Sequence, residues 1–168
     1  MSRNDSITQL LTFVAAHERY GMSLGKVDEV LFMMSFQDLP NMPSFVRGVI
    51  NLRGELIAVL DFCERLGKPR ADADSEEASI YPSTARMLLL RVRDKPFVLI
   101  VDEVERIYPV TTSDLHPIAT EAPSTRSFLT SMWLDDGVMV PLVESEALLA
   151  ESDWSKLPHS APGVQPNA

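Results

Sequence analysis

The apolar residues of this chain form pairs of short runs, and each pair is separated by a few residues that favour turns. Apolar and polar residues alternate over 11–15 and again over 20–24, with a polar break at His17 and Glu18 between them. An alternation with a period of two predicts a half-buried strand, so this segment predicts an antiparallel hairpin. Three further pairs predict hairpins in the same way: 48–60 with a turn at Arg53-Gly54, 87–101 with a turn at 93–96, and 128–143 with a turn at Asp135-Asp136-Gly137.

Only brief helices are indicated between these hairpins. Asp61 and Glu64 have the spacing of a capping box, which predicts a helix of one to two turns after the second hairpin. Apolar residues within 27–31 recur at i, i+3 and i+4, which predicts about one helical turn, and 144–150 predicts a closing helix. Short hairpins without long helical crossovers favour two small β-barrels over a parallel sheet.

Two parts of the sequence resemble each other, which indicates an internal duplication. The letters VDEV occur at 27–30 and at 101–104, and GELIAVLDFCERL from Gly54 corresponds to GVMVPLVESEALL from Gly137. In the longer match every position is displaced by 83 residues, so a turn glycine, an apolar run, a carboxylate and an amphipathic segment recur in the same order. A duplicated unit carries its turns and strands with it, so we expect two similar halves.

We expect one domain over residues 1–152, divided into two subdomains at about 14–66 and about 84–143, with the N- and C-terminal segments packed between them. Residues 68–84 are polar, acidic and nearly without periodicity, which predicts a linker inside the domain. Residues 155–168 are rich in proline and small residues, which predicts a disordered tail.

The composition limits the possible functions. The chain has 168 residues, of which 45% are hydrophobic, and this is typical of a globular domain with a sizeable core. Its formal charge of −9 argues against nucleic acid as a partner, because affinity for phosphates depends on clustered Lys and Arg. The N-terminus has no apolar signal core, no stretch reaches the roughly 20 apolar residues that span a bilayer, and the lone Cys63 cannot form an internal disulfide. We therefore expect a cytoplasmic protein that does not insert directly into a membrane.

The sequence contains no recognisable motif for catalysis, metal binding or cofactor binding. A phosphate-binding loop at 21–27 fails because the spacing is one residue short and Val27 stands where Ser or Thr would bind magnesium. His17, His116 and His159 have no metal-ligand spacing with one another. We expect neither an enzyme nor a resident metal or cofactor.

The VDEV segments and the Asn51-Leu52-Arg53-Gly54 turn remain as candidate functional features. A purely structural explanation stays open for each of them. Val27 and Val30 can be core residues, Glu29 can belong to a solvated face, and Arg53 can be a turn residue.

Longer stretches of the sequence resemble the CheW family of chemotaxis adaptors. These stretches are LLTF from Leu10, ERYGMSLGKVDEV from Glu18, LPNMPSFVRGVINLRGELIAVLDF from Leu39, LIVDEVERI from Leu99 and DGVMVPLVESEALL from Asp136. Together they span roughly residues 7–150, and the core G-V-x-N-L-R-G with a following V-x-D is specific to the family. The resemblance implies a mainly β fold of two five-stranded SH3-like β-barrels with short helices.

The resemblance also implies a function. Adaptors of this family have no enzymatic activity. They bridge the cytoplasmic tip of a methyl-accepting chemoreceptor and the regulatory domain of the histidine kinase CheA, and through these partners they associate with membrane receptor arrays. For receptor binding the resemblance implies Val27, Glu29, Val30 and Arg53, with the valines lining a groove between the barrels and Glu29 close to Arg53.

The same resemblance implies a second surface, for the kinase. It corresponds to Phe36, Leu39, Pro40 and Gly48 in this chain, at the end of the first barrel near the proline cluster. We expect these residues to form an exposed apolar edge, since such an edge suits docking between two barrels of like fold.

Two other interpretations compete with the coupling adaptor. One is a regulator of the same fold that binds the kinase alone and competes with the adaptor, which kinase binding without receptor binding would reveal. The other is a β-barrel that binds a small ligand or an oligonucleotide. The acidity of the chain disfavours an oligonucleotide, and no series of aromatic residues for base stacking is visible.

Overall fold

The computed structural model describes residues 6–68, 81–118 and 128–158. Its strands are β1 Ile7–Ala15, β2 Glu18–Ser23, β3 Val27–Phe32, β4 Val46–Leu52, β5 Glu55–Asp61, β6 Arg86–Val92, β7 Lys95–Val101, β8 Glu103–Thr111, β9 Leu115–Pro117, β10 Leu129–Asp135 and β11 Val138–Val143. The α-helices are short: α1 is Phe62–Arg65 and α2 is Glu151–Trp154. Single 3-10 turns occur at Leu24–Lys26, Thr112–Asp114 and Ser145–Ala147.

The strands form two sheets. One sheet has six strands in the order β8-β1-β2-β11-β10-β9, and the other has five in the order β3-β6-β7-β5-β4. The expected mainly β class with short helices is therefore confirmed. Within the described residues the end strands of each sheet do not pair with each other, so neither sheet closes into a hydrogen-bonded barrel, although the strand order is compatible with an SH3-like fold.

The two sheets exchange hairpins between the halves of the sequence. The β1-β2 hairpin lies in the sheet that contains β8 to β11, and the β6-β7 hairpin lies in the sheet that contains β3 to β5. The parallel pairs β2-β11 and β5-β7 join each hairpin to the sheet that receives it. The sheets therefore do not coincide with the subdomains expected at 14–66 and 84–143. A period of two identifies a strand but not the sheet in which it pairs, so the local pattern could not reveal this exchange.

The two sheets repeat the same backbone features, which supports the internal duplication. The turn at 53–54 has φ values of +52° and +87°, and the turn at 136–137 has +47° and +81°. A register shift interrupts the β4-β5 pairing between 46 and 48, and a matching shift interrupts the β10-β11 pairing between 129 and 131. When β1 to β5 are matched in order with β6, β7, β8, β10 and β11, one strand order maps onto the other.

Each sheet contributes to two apolar clusters, one on each face. Along β5, Ala58 and Leu60 belong to the large core between the sheets, whereas Ile57 and Val59 belong to a smaller cluster. Successive residues of a strand point to opposite faces, so the smaller cluster is the separate interior of the five-stranded sheet. A third cluster around Trp133 is the interior of the six-stranded sheet. The large core thus joins two smaller units.

Two helix predictions differ from the structure, and one is confirmed. Residues 27–32 form β3, where exposure alternates from residue to residue, and not the predicted helical turn. Three apolar matches to a helical period do not outweigh the β-branched valines and the pairing of β3 with β6. The closing helix expected at 144–150 is a 3-10 turn followed by α2. The helix after Asp61 is present as α1, and the Asp61 carboxylate accepts a hydrogen bond of 3.0 Å from the backbone N–H of Cys63.

Much of the expected linker and tail lies outside the described residues. This applies to residues 69–80 of the linker expected at 68–84, and to residues 159–168 of the tail expected at 155–168. Within the described part, Leu157 is buried in the large core. The packed part of the chain therefore extends beyond residue 155.

Candidate binding surfaces

Glu29 and Arg53 form a two-point ion pair at the surface of the five-stranded sheet. Nη1 of Arg53 donates to Oε2 of Glu29 at 3.1 Å, and Nη2 donates to Oε1 at 3.0 Å. Glu29 lies in β3 and Arg53 follows β4, and these strands stand at opposite ends of the sheet's strand order. The ion pair therefore joins the two ends of a folded-over sheet, and the expected approach of Glu29 to Arg53 is present.

The β4-β5 turn holds Arg53 in place for this contact. Its left-handed backbone and that of Gly54 make a tight two-residue connection, and the Gly54 N–H donates to the side-chain oxygen of Asn51 at 3.0 Å. The hydrogen bonds to Glu29, together with the charge of its carboxylate, raise the pKa of the Arg53 guanidinium. The side chain of Arg53 is 68% exposed and that of Glu29 is 39% exposed, so the pair shapes a surface more than it stabilises the fold.

A bulge in β3 places Val27 and Val30 on the same face of the sheet. Residues three apart in a regular strand point to opposite faces. Here the register shifts between Val27 and Glu29, so Val27 lies opposite Leu90 and Val30 lies opposite Leu88. Leu88 and Leu90 both belong to the large core, which identifies the face that the valines share.

The two valines differ in exposure. Val27 is half-buried and packs against the large core, whereas Val30 is 44% exposed. Val27 therefore has a structural role at least in part, and Val30 is available for contact with a partner.

Phe32 belongs to this surface but was not predicted from the sequence. It lies two residues after Val30 on the same face of β3 and is 77% exposed. The guanidinium carbon of Arg86 lies 4.8 Å from the centre of its ring. The signal that could have identified Phe32 was the alternation of β3, which the helical interpretation of 27–31 concealed.

Val27 and Val30 were expected to line a groove, but they do not line either of two cavities found among the described residues. An open cavity of about 570 Å³ lies near the 3-10 turn that precedes β3, and a second, of about 200 Å³, lies beside Lys26 and the end of β11. Neither valine lines these two cavities. Val27 packs against the large core and Val30 is 44% exposed on the same face, so the apolar surface on β3 is an open face of the strand at Val30.

The segment expected to bind the kinase is tied to the edge of the five-stranded sheet. Gln37 pairs with Val49 of β4 through two backbone hydrogen bonds of 2.9 and 2.8 Å. Gly48 is buried beneath this segment, and a Cβ atom there would lie 2.8 Å from the carbonyl carbon of Gln37 and closer still to its oxygen. Gly48 therefore permits the close approach of another part of the backbone.

Of the four expected kinase-binding residues, only Pro40 is exposed. Phe36 is half-buried, with its ring 6.3 Å from that of Tyr81, and Leu39 is also half-buried. The expectation of an exposed apolar edge is therefore wrong for the buried Gly48 and holds only in part for the half-buried Phe36 and Leu39, because the Gln37 pairing folds this segment onto the sheet. Phe36 and Gly48 lie close to each other, as expected.

In the six-stranded sheet, the two residues that correspond to Glu29 and Arg53 cannot form an ion pair. The corresponding residues are Glu103 and Asp136, which carry the same charge. Arg19 of β2 instead connects β8 and β10, with hydrogen bonds of 2.7 Å to Glu105 and 3.0 Å to Asp135. Burial opposes ionisation of Arg19, but the hydrogen bonds and charges of its partners raise its pKa. The exposed ion pair is therefore a feature of one repeat and not of the duplicated fold.

Among the described residues, no group of three or more His, Cys, Asp or Glu side chains is arranged to hold a metal ion. Within the same ranges, no helix is long and apolar enough to cross a bilayer.

Comparison with known proteins finds a matching family and similar relatives. A family model described as CheW-like domain matches residues 9–153. The chain is 28% identical over 153 residues to a probable chemotaxis protein CheW of Rhizobium etli, covering 90% of this chain and 94% of the relative. It is 26% identical over 147 residues to chemotaxis protein CheW of Rhizobium meliloti, covering 86% and 89%.

A solved structure has the same fold. The crystal structure of scaffolding protein TtCheW from Thermoanaerobacter tengcongensis superposes with a TM-score of 0.75 and 24% sequence identity, covering 88% of this chain and 96% of that one. The family match, the relatives and the shared fold lead to one conclusion: this chain belongs to the CheW-like domain family.

Proposed function

We propose that this protein is a non-catalytic adaptor that couples the cytoplasmic tip of a methyl-accepting chemoreceptor to the regulatory domain of a CheA-type histidine kinase. Membership of the CheW-like family supports a scaffold or coupling role. In this proposal the protein acts in the cytoplasm and reaches membrane receptor arrays only through its partners. It binds both partners at once and changes no covalent bond.

The observation that carries the proposal is the surface formed by β3 and the β4-β5 turn. Val30 supplies exposed apolar area on one face of β3, and the adjacent Glu29, on the opposite face, forms an ordered ion pair with Arg53 at the edge of this end strand. An amphipathic helix can lay its apolar side on such a surface while the ion pair excludes helices that do not fit its shape. Val27 supports this surface from the core side.

The kinase surface in this proposal is the segment from Phe36 to Pro40. Its backbone is held by Gln37, and Gly48 lets it approach the sheet. A segment that is fixed in advance loses little conformational entropy on binding, which suits a docking site. Pro40 provides the exposed contact, while Phe36 and Leu39 hold the segment in position.

Reconstituted phosphorylation tests this function. Kinase and a soluble receptor-tip fragment are assayed for kinase autophosphorylation with and without the full chain. Coupling predicts that the receptor fragment changes kinase output only when the chain is present. Binding to neither partner would refute the proposal, and kinase binding without receptor binding would instead indicate a kinase-only regulator.

The ion pair can be tested separately by charge reversal. We expect Arg53→Glu to weaken receptor binding strongly, because it places two carboxylates together at the margin of the surface. Adding Glu29→Arg should restore part of the binding, since it rebuilds the pair with the charges exchanged. Calorimetric titration with the receptor fragment provides the measurement.

Arg93→Glu is the matched control for charge reversal. Arg93 also occupies a left-handed turn position and forms an exposed ion pair, in this case with Glu151. It should leave receptor binding unchanged. Equal losses in the Arg53 and Arg93 variants would show that net charge, and not this surface, controls binding.

A further inference from the structure

The face of β3 that carries Val30 continues to Phe32, whose ring is more exposed than any other large hydrophobic side chain that the structure describes. A phenylalanine gains free energy by burial, so a ring that is 77% exposed at the end of a strand adds nothing to the core. Large aromatic side chains are frequent among the residues that dominate protein interfaces. The exposure of Phe32 therefore requires an explanation outside the fold.

Arg86 holds Phe32 in a defined position. The two residues face each other across the β3-β6 pair, and the guanidinium carbon lies 4.8 Å from the ring centre. Nη1 of Arg86 donates to the carbonyl oxygen of Ala85 at 2.8 Å, which anchors one side of the guanidinium. Phe32 and Arg86 thus form an ordered apolar surface with a positive charge beside it.

The spacing along β3 fits an α-helix. Val30 and Phe32 are two residues apart on one face of a strand, which corresponds to a separation of about 7 Å. A helix rises about 1.5 Å per residue, so this separation corresponds to about four or five residues, or slightly more than one turn. A helix lying along β3 would therefore bring apolar residues of successive turns onto Val30 and Phe32.

We propose that Phe32 and Arg86 form a specificity-determining subsite for the receptor helix. This inference rests on the proposed receptor binding and deepens it. Phe32 contacts an apolar residue one turn beyond the residue that contacts Val30, and Arg86 pairs with a carboxylate on the flank of the same helix. The partner selected by this chain is a helical tip whose apolar stripe extends past the Val30 contact and carries Asp or Glu beside it.

Calorimetric titration of the full chain with a soluble chemoreceptor-tip fragment tests the subsite. Phe32→Ala should raise Kd about tenfold or more, which is the range of an interface residue that dominates binding. Arg86→Gln should also raise Kd and should reduce the dependence of Kd on salt. Arg86→Lys keeps the charge but lacks the flat guanidinium, so it should retain the salt dependence and lose part of the affinity.

Ile7→Ala is the matched control, since Ile7 is 73% exposed but lies in β1 of the other sheet. It should change Kd by less than about twofold, and binding to the kinase regulatory domain should be unchanged in all variants. If the wild-type chain binds the receptor fragment and Phe32→Ala binds it with the same Kd, the subsite inference is overturned and the proposed receptor function is not. An equal loss for Ile7→Ala would also overturn the subsite inference, and no binding by the wild-type chain would overturn the proposed receptor function with it.

Discussion

The ion pair between Glu29 and Arg53 is the residue-scale feature that best distinguishes a binding role from a structural one. Both side chains are exposed, so the contact contributes little to folding stability, yet two hydrogen bonds hold both groups in one geometry. The corresponding residues of the other sheet, Glu103 and Asp136, cannot form it. A contact that is ordered, dispensable for stability and confined to one repeat is typical of a binding surface.

Gly48 is the residue whose substitution most directly tests the structure around the proposed kinase segment. Gly48→Ala is expected to destabilise the fold by about 1–3 kcal/mol, because the added methyl group overlaps the backbone of Gln37, which cannot move without breaking its pairing with Val49. Denaturant unfolding gives the measurement.

Gly25→Ala is the control for Gly48→Ala. A Cβ atom at Gly25 meets only the Ser23 hydroxyl at 3.8 Å, which is an ordinary contact. Its effect should stay within about 0.5 kcal/mol. Two variants of equal stability would show that the Gln37 segment does not lie against Gly48.

At the scale of elements, the hairpins account for most of what local sequence could predict. The turns expected at Arg53-Gly54 and at Asp136-Gly137 are present, with left-handed backbones at both positions. Strand β3 was predicted wrongly as a helical turn, because Val27 and Val30, three residues apart, share a face both in a helix and in a strand with a bulge. The bulge matters for function, since it brings Val27 and Val30 to one face.

The hairpin turns are themselves testable. Gly137→Ala should destabilise the protein by about 1 kcal/mol, because residue 137 has a φ of +81°, a conformation that costs an L-residue roughly that much. No atom lies within 4 Å of the added Cβ, so the cost arises from backbone conformation and not from a clash. Gly137→Asn should recover part of the loss, since Asn tolerates this region, and unchanged stability of the Ala variant in thermal unfolding would contradict the turn geometry.

At the scale of the whole molecule, the exchange of hairpins makes the two sheets mutually dependent. Neither sheet can form without a hairpin from the other half of the sequence, and the large core contains residues of both. The two halves are therefore expected to unfold together. In the proposed adaptor, this dependence fixes the positions of the two proposed binding surfaces relative to each other.

Unfolding of a core variant tests this dependence. Ile57→Ala removes a buried side chain from the interior of the five-stranded sheet and should cost about 2–5 kcal/mol. In a Trp154→Phe background, Trp133 in the interior of the other sheet is the only remaining tryptophan. We expect its fluorescence transition and the far-UV circular dichroism transition to shift to the same lower midpoint.

Independent unfolding of the two sheets would give a different result. If the Trp133 transition kept its original midpoint while part of the circular dichroism signal was lost early, the sheets would unfold independently. The same background with Ile7→Ala, an exposed site in β1, serves as the control and should leave both midpoints unchanged.

The sequence carried enough local information for the mainly β class, the four hairpins with the positions of their turns, and the duplication, because turn residues and a period of two act over a few neighbouring residues. Its resemblance to a known family supplied Glu29 and Arg53 as neighbours. It did not reveal the exchange of hairpins, the bulge that aligns Val27 with Val30, the burial of Gly48 under Gln37, or the exposure of Phe32. Each of these features depends on which distant strands pair with each other. Packing of the large core decides that pairing, and this core collects residues from distant parts of the chain, so no short segment of sequence contains the information.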